Sequence, residues 1–243
     1  MSAHPFAGYI DELAAHLGCG RQHIADACAG REYLRREFVD PACAFLKSRK
    51  VKVKAADIDP LGRVYTPDWL ADEMARIAAI VAPNPRAAVD PGCGGGSLLR
   101  GARRQWAGAT LIGMDLDPRA EGLKVADQGE VANFLRTPLD VETEGSVFLV
   151  NPPYDKVGMR ILKRAVDLNP DVVVGLVPLP WLGLNACRDL LYGERPAACI
   201  PILGRPWNRL REAVILVWAG TGLDGVTALP RCVERPKGVR AEP

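Results

Sequence analysis

The sequence predicts an α/β protein with a mostly parallel sheet, helices on both faces, and a small helical region in front of it. Three observations predict this. From residue 64 onward, short apolar runs alternate with segments of helical periodicity. Three of those runs end directly in polar signatures: Asp90-Pro-Gly-Cys-Gly-Gly-Gly96, Asp115-Leu-Asp117 and Asn151-Pro-Pro-Tyr154. Sites in such folds lie at the carboxyl ends of the strands. Residues 1–46 instead carry small and apolar side chains at helical spacing, broken by Gly18, Gly20 and Pro41.

Taken in order, Tyr9–Leu17 and Gln22–Cys28 read as helices, and a third is expected over Arg31–Phe38, ended or restarted by Pro41. Lys47–Lys54 holds five positive charges and no acid, and Asp57–Arg63 reads as a linker through Pro60 and Gly62. Pro67 opens a helix over Asp68–Val81, with Leu70, Met74 and Ile77 on one face. Strands are expected at Ala87–Val89, Thr110–Met114, Val131–Phe134, Val147–Val150 and Val172–Val177. Helices are expected at Ser97–Gln105, Val157–Asp167 and Cys187–Tyr192. Ala198–Leu203 and Ala213–Trp218 are late strands and antiparallel neighbours. The organisation is a helical region over 1–63, an α/β domain over 64–219 and a C-terminal tail over 220–243.

The chain has 243 residues, 48% of them apolar and 25% charged, which excludes collagen-like and disordered classes. No apolar run approaches the roughly 20 residues a membrane span needs. The start, Met-Ser-Ala-His-Pro, has no basic stretch followed by an apolar one. Seven cysteines, an odd number thinly spread, read as reduced thiols. A cytoplasmic protein is expected. The net charge of +2 hides an asymmetry: residues 65–194 carry 13 Lys/Arg against 17 Asp/Glu, and residues 195–243 carry 8 against 4. An acidic centre suits a cationic cofactor, and basic flanks suit a polyanion; uneven solvated surface is the competing reading.

The glycine turn after Asp90 lets backbone approach a ligand and offers the N–H groups of the next helix. It has neither the dinucleotide spacing nor the Gly-Lys-Ser/Thr of a Walker loop. Asp115, at the end of the following strand, can accept ribose hydroxyls. In Asn151-Pro-Pro-Tyr154 the two prolines remove two N–H donors and stiffen the loop. Their carbonyls and the Asn151 amide oxygen form a set of acceptors whose natural guest is a planar –NH2 group. Tyr154 can stack on the ring that bears it. A proline turn without chemistry is the competing reading.

In these motifs the sequence resembles the class I S-adenosylmethionine-dependent methyltransferases, in the branch of the DNA adenine-N6 enzymes, over roughly residues 64–218. The resemblance implies a Rossmann-like domain, S-adenosylmethionine as cofactor and DNA as substrate. Tyr65-Thr66-Pro67 resembles the segment over the methionine end of the cofactor. Asp90, Pro91, Gly92, Cys93 and Gly94 resemble the cofactor glycine motif. Asp115 with Leu116 resembles the ribose segment, and Asn133-Phe134 the segment at the cofactor adenine, where Asp is commoner. Asn151, Pro152, Pro153 and Tyr154 are the catalytic motif. The same acceptor motif serves enzymes that methylate an amine of RNA or of a protein glutamine, and a DNA-binding regulator with a degenerate fold is a further alternative. Cys93 packs beneath the cofactor in this reading, and no Pro-Cys dipeptide of the cytosine-C5 type occurs.

Type II members of the branch carry a large recognition domain after the last strand, whereas 25 residues follow Trp218 here. Sequence choice is therefore expected from the N-terminal region, the loops, a partner subunit or a homodimer. Leu13–Ala27 resembles a helix-turn-helix that would present Arg21, Gln22 and His23 to base edges; an ordinary helical hairpin is the alternative. Lys50 and Lys52 in the basic run are candidate phosphate contacts. Trp207, among Arg205, Arg209 and Arg211, is the candidate second wall of a flipped-base pocket, and Trp181 is assigned to the core. Cys19, His23, Cys28 and Cys43 do not have zinc-ligand spacing, and no metal is expected.

Overall fold

The computed structural model describes residues 7–28, 36–51, 64–203, 206, 212–219 and 229–239. The chain divides into two compact units, residues 1–63 and 64–243.

In the first unit, α1 (Ile10–Leu17), α2 (Arg21–Cys28) and α3 (Arg36–Ser48) surround a small core that includes Leu13, Ile24, Phe45 and Leu46. Gly18 ends α1 in the left-handed conformation at φ 63°, where a side chain would be strained. Pro41 was expected to end a helix; it lies inside α3. Its ring removes one backbone donor, but Pro41 is exposed while Ala42, Cys43, Phe45 and Leu46 are buried, so packing outweighs the lost bond. Residues 31–35 of the expected third helix lie outside the described residues. Arg21 pairs with Asp11 and Gln22 with Asp26, all on the surface. Lys50 follows α3 at φ 60° and is exposed. The next N–H, that of Val51, closes the helix on the Leu46 carbonyl at 3.0 Å. Lys52 lies outside the described residues.

The second unit is an eight-stranded sheet between two layers of helix. Its elements are α4 (Asp68–Val81), β1 (Ala87–Asp90), α5 (Ser97–Gln105), β2 (Thr110–Asp115), α6 (Gly122–Val125), β3 (Gln128–Val131), β4 (Ser146–Val150), α7 (Lys156–Asp167), β5 (Val172–Pro178), β6 (Ala198–Leu203), β7 (Ala213–Ala219) and β8 (Val233–Glu234). The strand order is β3-β2-β1-β4-β5-β7-β6-β8, with β7 antiparallel to both neighbours. The central parallel strands β1, β2, β4 and β5 are buried on both faces and alternate between two cores. Val147, Leu149, Val172 and Val174 face the core under α4 and α5. Phe148, Val150, Val173 and Val177 face the core shared with Leu162 of α7.

Three expectations are corrected. The third strand runs over Gln128–Val131, all four residues exposed, and not Val131–Phe134. It is an edge held by backbone pairing to Ile112–Asp115, so no apolar pattern was needed. Phe134 follows it and is buried against Phe148, ring centroids 6.4 Å apart. Cys187–Tyr192 is not an α-helix: short 3₁₀ and π turns fill 179–193. The segment expected as a tail supplies β8, which pairs with β6 and buries Val233. No helix among the described residues is long and apolar enough to cross a membrane.

Helices α4 and α5 touch through Gly101. A Cβ there would sit 2.8 Å from the Ala71 carbonyl oxygen. Both neighbours belong to backbone and cannot swing aside, so Gly101→Ala must push the helices apart. We expect a loss of about 1–3 kcal/mol, as for other overpacked cores, measured as a lower urea midpoint at unchanged slope.

Candidate active site

The strand order reverses between β1 and β4. Parallel strands that diverge from a central pair leave a crevice at their carboxyl ends. β1 ends in Asp90 and β4 in Val150, and the register pairs Val89 with Phe148. The glycine turn and Asn151 therefore emerge side by side.

The turn is pinned from below. The Cys93 N–H donates to Met114 O at 2.9 Å and the Gly94 N–H to Asp115 Oδ2 at 2.7 Å. Asp115 Oδ1 accepts the Asp117 N–H at 2.8 Å. Gly94 and Gly96 have φ of 42° and 79°, the region that favours glycine. Cys93 lies beneath the turn against Gly122, where a Cβ would come within 2.7 Å of its sulfur. Burial, then the charges of Asp90 and Asp115, push the Cys93 thiol well above its ordinary range, so it stays protonated and unreactive. Leu116 is exposed beyond Asp115.

Asp90 is 2% exposed and accepts the Gly92 N–H at 3.2 Å. Burial raises its carboxyl to about 7; Gly92 opposes that and Asp115 adds to it.

Residues 64–67 cross above the turn as an extended strap. The Tyr65 ring lies over Gly94 and Gly95: a Cβ on Gly94 would stand 3.1 Å from it. On either side of Tyr65, the Val64 carbonyl and the Thr66 hydroxyl accept from Asn151 Nδ2 at 2.7 and 2.9 Å. Thr66 is buried. Its side chain thus reaches Asn151, a contact the sequence resemblance did not assign to it. Pro67 then caps α4, its carbonyl accepting the N–H groups of Leu70 and Ala71.

Asn151 Oδ1 is buried and has no hydrogen-bond partner among the described residues. Asp155 caps α7, accepting from the Val157 and Gly158 N–H groups at 2.8 and 3.0 Å. Gly158 is required by the loop it follows, because a Cβ would overlap the Pro153 carbonyl oxygen. The Tyr154 ring meets Trp181 edge-on with centroids 6.3 Å apart, and burial raises its phenol well above the ordinary range. Trp181 is buried in the core, as the sequence assigned it.

The remaining candidates are distributed as follows. Asn133 Oδ1 accepts the Leu135 N–H at 3.0 Å, closing its own turn. The Phe134 side chain is in the core with the Arg164 guanidinium over its ring at 4.9 Å, which leaves its backbone for any ligand contact. Lys50 belongs to the N-terminal unit. Trp207 lies outside the described residues. Sequence reading missed Val64, whose contribution is a carbonyl with no side-chain signature, and Gly158. Asp155 carried the ordinary N-cap signal of an acid before a helix.

The hollow between strap, glycine turn and Asn151 contains Asp90 and, among the described residues lining it, no Lys or Arg. Open space surrounds Gly92 where a Cβ would stand. A buried carboxyl without a cationic neighbour suits a ligand carrying positive charge and disfavours a polyphosphate. The residues present therefore fit S-adenosylmethionine, with its sulfonium and ammonium groups, better than a nucleotide.

No family model matches the chain. A stretch of 102 residues, 40% of this chain, is 36% identical to the type II methyltransferase M.TthHB8I of Thermus thermophilus and spans 22% of that protein. Among solved structures, the modification subunit assigned to a type I restriction enzyme of Vibrio vulnificus YJ016 matches with a TM-score of 0.53 at 14% identity, over 85% of this chain and 53% of that one. The type IIG restriction endonuclease BpuSI matches with a TM-score of 0.52 at 16% identity, over 68% of this chain and 27% of that one. With the strand order, these likenesses define the class: the chain has the Rossmann-like fold of the class I methyltransferases. Within that class, its sequence similarity is to a type II methyltransferase.

Asp90 makes the site sensitive to pH. An unfolded aspartate loses its proton near pH 4, whereas Asp90 holds it to about 7. Across that window the folded state binds more protons, so this group's contribution to stability is full below the window and declines as pH rises through it. Asp90→Asn keeps an acceptor for Gly92 and removes the titration. Its stability relative to wild type should be higher at about pH 8 than at about pH 5, by roughly 1–3 kcal/mol, as read from urea titrations at both values.

Proposed function

We propose that this chain transfers a methyl group from S-adenosylmethionine to the exocyclic N6 amine of adenine in DNA. The observation that carries the reading is the buried, unpartnered Asn151 Oδ1 at the mouth of a glycine-lined hollow. A buried acceptor left unsatisfied costs roughly 1–3 kcal/mol, and an incoming amine hydrogen would recover it. The similarity to a type II methyltransferase supports DNA as the substrate.

In this reading the glycine turn, Asp90 and the strap hold the cofactor, which supplies an electrophilic methyl group on a positively charged sulfur. The target base leaves the helical stack to reach the pocket. Asn151 Oδ1 and the Pro152 carbonyl each accept one hydrogen of its amine, and Tyr154, braced by Trp181, stacks on the ring. Drawing both hydrogens toward fixed acceptors turns the nitrogen lone pair out of conjugation and toward the methyl group. As the nitrogen becomes tetrahedral its hydrogens become more positive, so the same two acceptors bind the transition state more strongly than the ground state. No base is needed before transfer, since the alkylated nitrogen is cationic and gives its proton to water afterwards. His4, His16 and His23 all precede this domain.

The test is methyl incorporation into DNA with analysis of the modified nucleoside. N6-methyladenine is expected; methylation confined to RNA or to a protein amide would overturn the substrate assignment. Asn151→Ala should bind cofactor within a few-fold of wild type and lose on the order of 10²–10³ in kcat. Tyr154→Phe should be mild and Tyr154→Ala severe. Wild-type turnover by Asn151→Ala would refute the acceptor-loop mechanism.

We assign phosphate contact to the basic run at Lys47–Lys54. Reversing the charges of Lys50 and Lys52 should weaken DNA binding at every sequence. It should also flatten the dependence of log affinity on log salt by about 0.9 per lost contact. An unchanged slope would return the run to ordinary solvated surface.

A further inference from the structure

We propose that the Val64 carbonyl sets the polarity of Asn151 and that Thr66 is the positioning residue that holds the amide in it, so that together they restrict the site to amine donors. The inference rests on the reading of Asn151 just given. A carboxamide has an oxygen face and an NH2 face of nearly the same shape. Turned by half a rotation, the Asn151 side chain would fit the same space with its donor facing the substrate amine, donor against donor. The strap prevents this. The Val64 carbonyl can only accept, and it lies 2.7 Å from Nδ2. The Thr66 hydroxyl takes a second contact at 2.9 Å. Both amide hydrogens are thereby engaged, and the flipped state would set Oδ1 against the Val64 oxygen with like charges in a buried site.

The device combines main chain and side chain: the Val64 carbonyl and the Thr66 hydroxyl both reach Asn151, while the Tyr65 ring between them lies over the glycine turn. Asn151 and Thr66 are 85 positions apart in sequence, so the contact exists only when the strap is seated. Thr66 need not touch the substrate; it acts through the amide it holds.

Thr66→Val keeps the shape and removes the acceptor, and Thr66→Ser keeps the acceptor. Thr66→Val should lower kcat on DNA by about tenfold, the worth of one buried hydrogen bond, with cofactor affinity within twofold of wild type. Thr66→Ser should recover most of that rate. The second readout does not need turnover: the side-chain NH2 pair of Asn151 in an ¹⁵N-labelled sample, assigned by its loss in Asn151→Asp. In wild type both hydrogens should be downfield and slow to exchange, and in Thr66→Val one of the two should move upfield and exchange faster. An unchanged kcat in Thr66→Val, or a loss of rate matched by a loss of cofactor affinity, overturns the inference; so does an unchanged NH2 pair. If wild type methylates no amine at all, the functional reading fails, whereas the NH2 signals still decide whether Thr66 orients Asn151.

Discussion

The pairing of β1 with β4 is the constraint from which the site follows. Their first paired positions, Ala87 and Ser146, are 59 positions apart in sequence. They lie side by side only because the chain leaves β1 in one direction to build β2 and β3 and returns to build β4 and β5. That reversal puts a glycine turn and an asparagine-proline loop at one mouth, each at the end of a buried strand. Neither loop defines a pocket alone. The strap before α4 completes it from above, and α4 is fixed in turn by its close passage over α5 at Gly101.

Electrostatics divides the work between the two loops. On the glycine side, carboxyl groups are concentrated where water is scarce, so Asp90 holds its proton into the neutral range and the thiol of Cys93 is silenced. A positively charged guest relieves that crowding. On the asparagine side the group presented is an uncharged amide, an oriented dipole whose donors are already engaged. In the proposed function, charge attracts the cofactor and hydrogen-bond polarity selects the acceptor of the methyl group.

The parts of this architecture legible in the sequence were those with a side-chain cause. The buried strands at Ala87, Thr110, Ser146 and Val172 showed as short apolar runs because both faces need apolar atoms. The glycine turn and Asn151 were visible because their residue types have few substitutes in those roles. What escaped detection was held by backbone. β3 pairs through main-chain groups and exposes every side chain, so nothing in its composition marked its register. The Val64 carbonyl has no residue preference, and the seating of Thr66 against Asn151 depends on how a strap lies across two distant loops. Pro41 sits within a helix against its local propensity because Ala42, Cys43, Phe45 and Leu46 supply a core that holds the helix together.

The close approach of Gly158 to Pro153 bears on how such a site can diversify. The first turn of α7 rests directly on the acceptor loop, with no room for even one extra carbon. The segment from Asn151 to Gly158 therefore has a fixed length: inserting a residue would lift the helix off the loop, and deleting one would drag the prolines out of register with the strap. Natural drift or a directed-evolution library should therefore leave these eight positions constant in number. New target preferences in this scaffold would then arise by grafting material elsewhere, with the chemical centre inherited as an indivisible cassette.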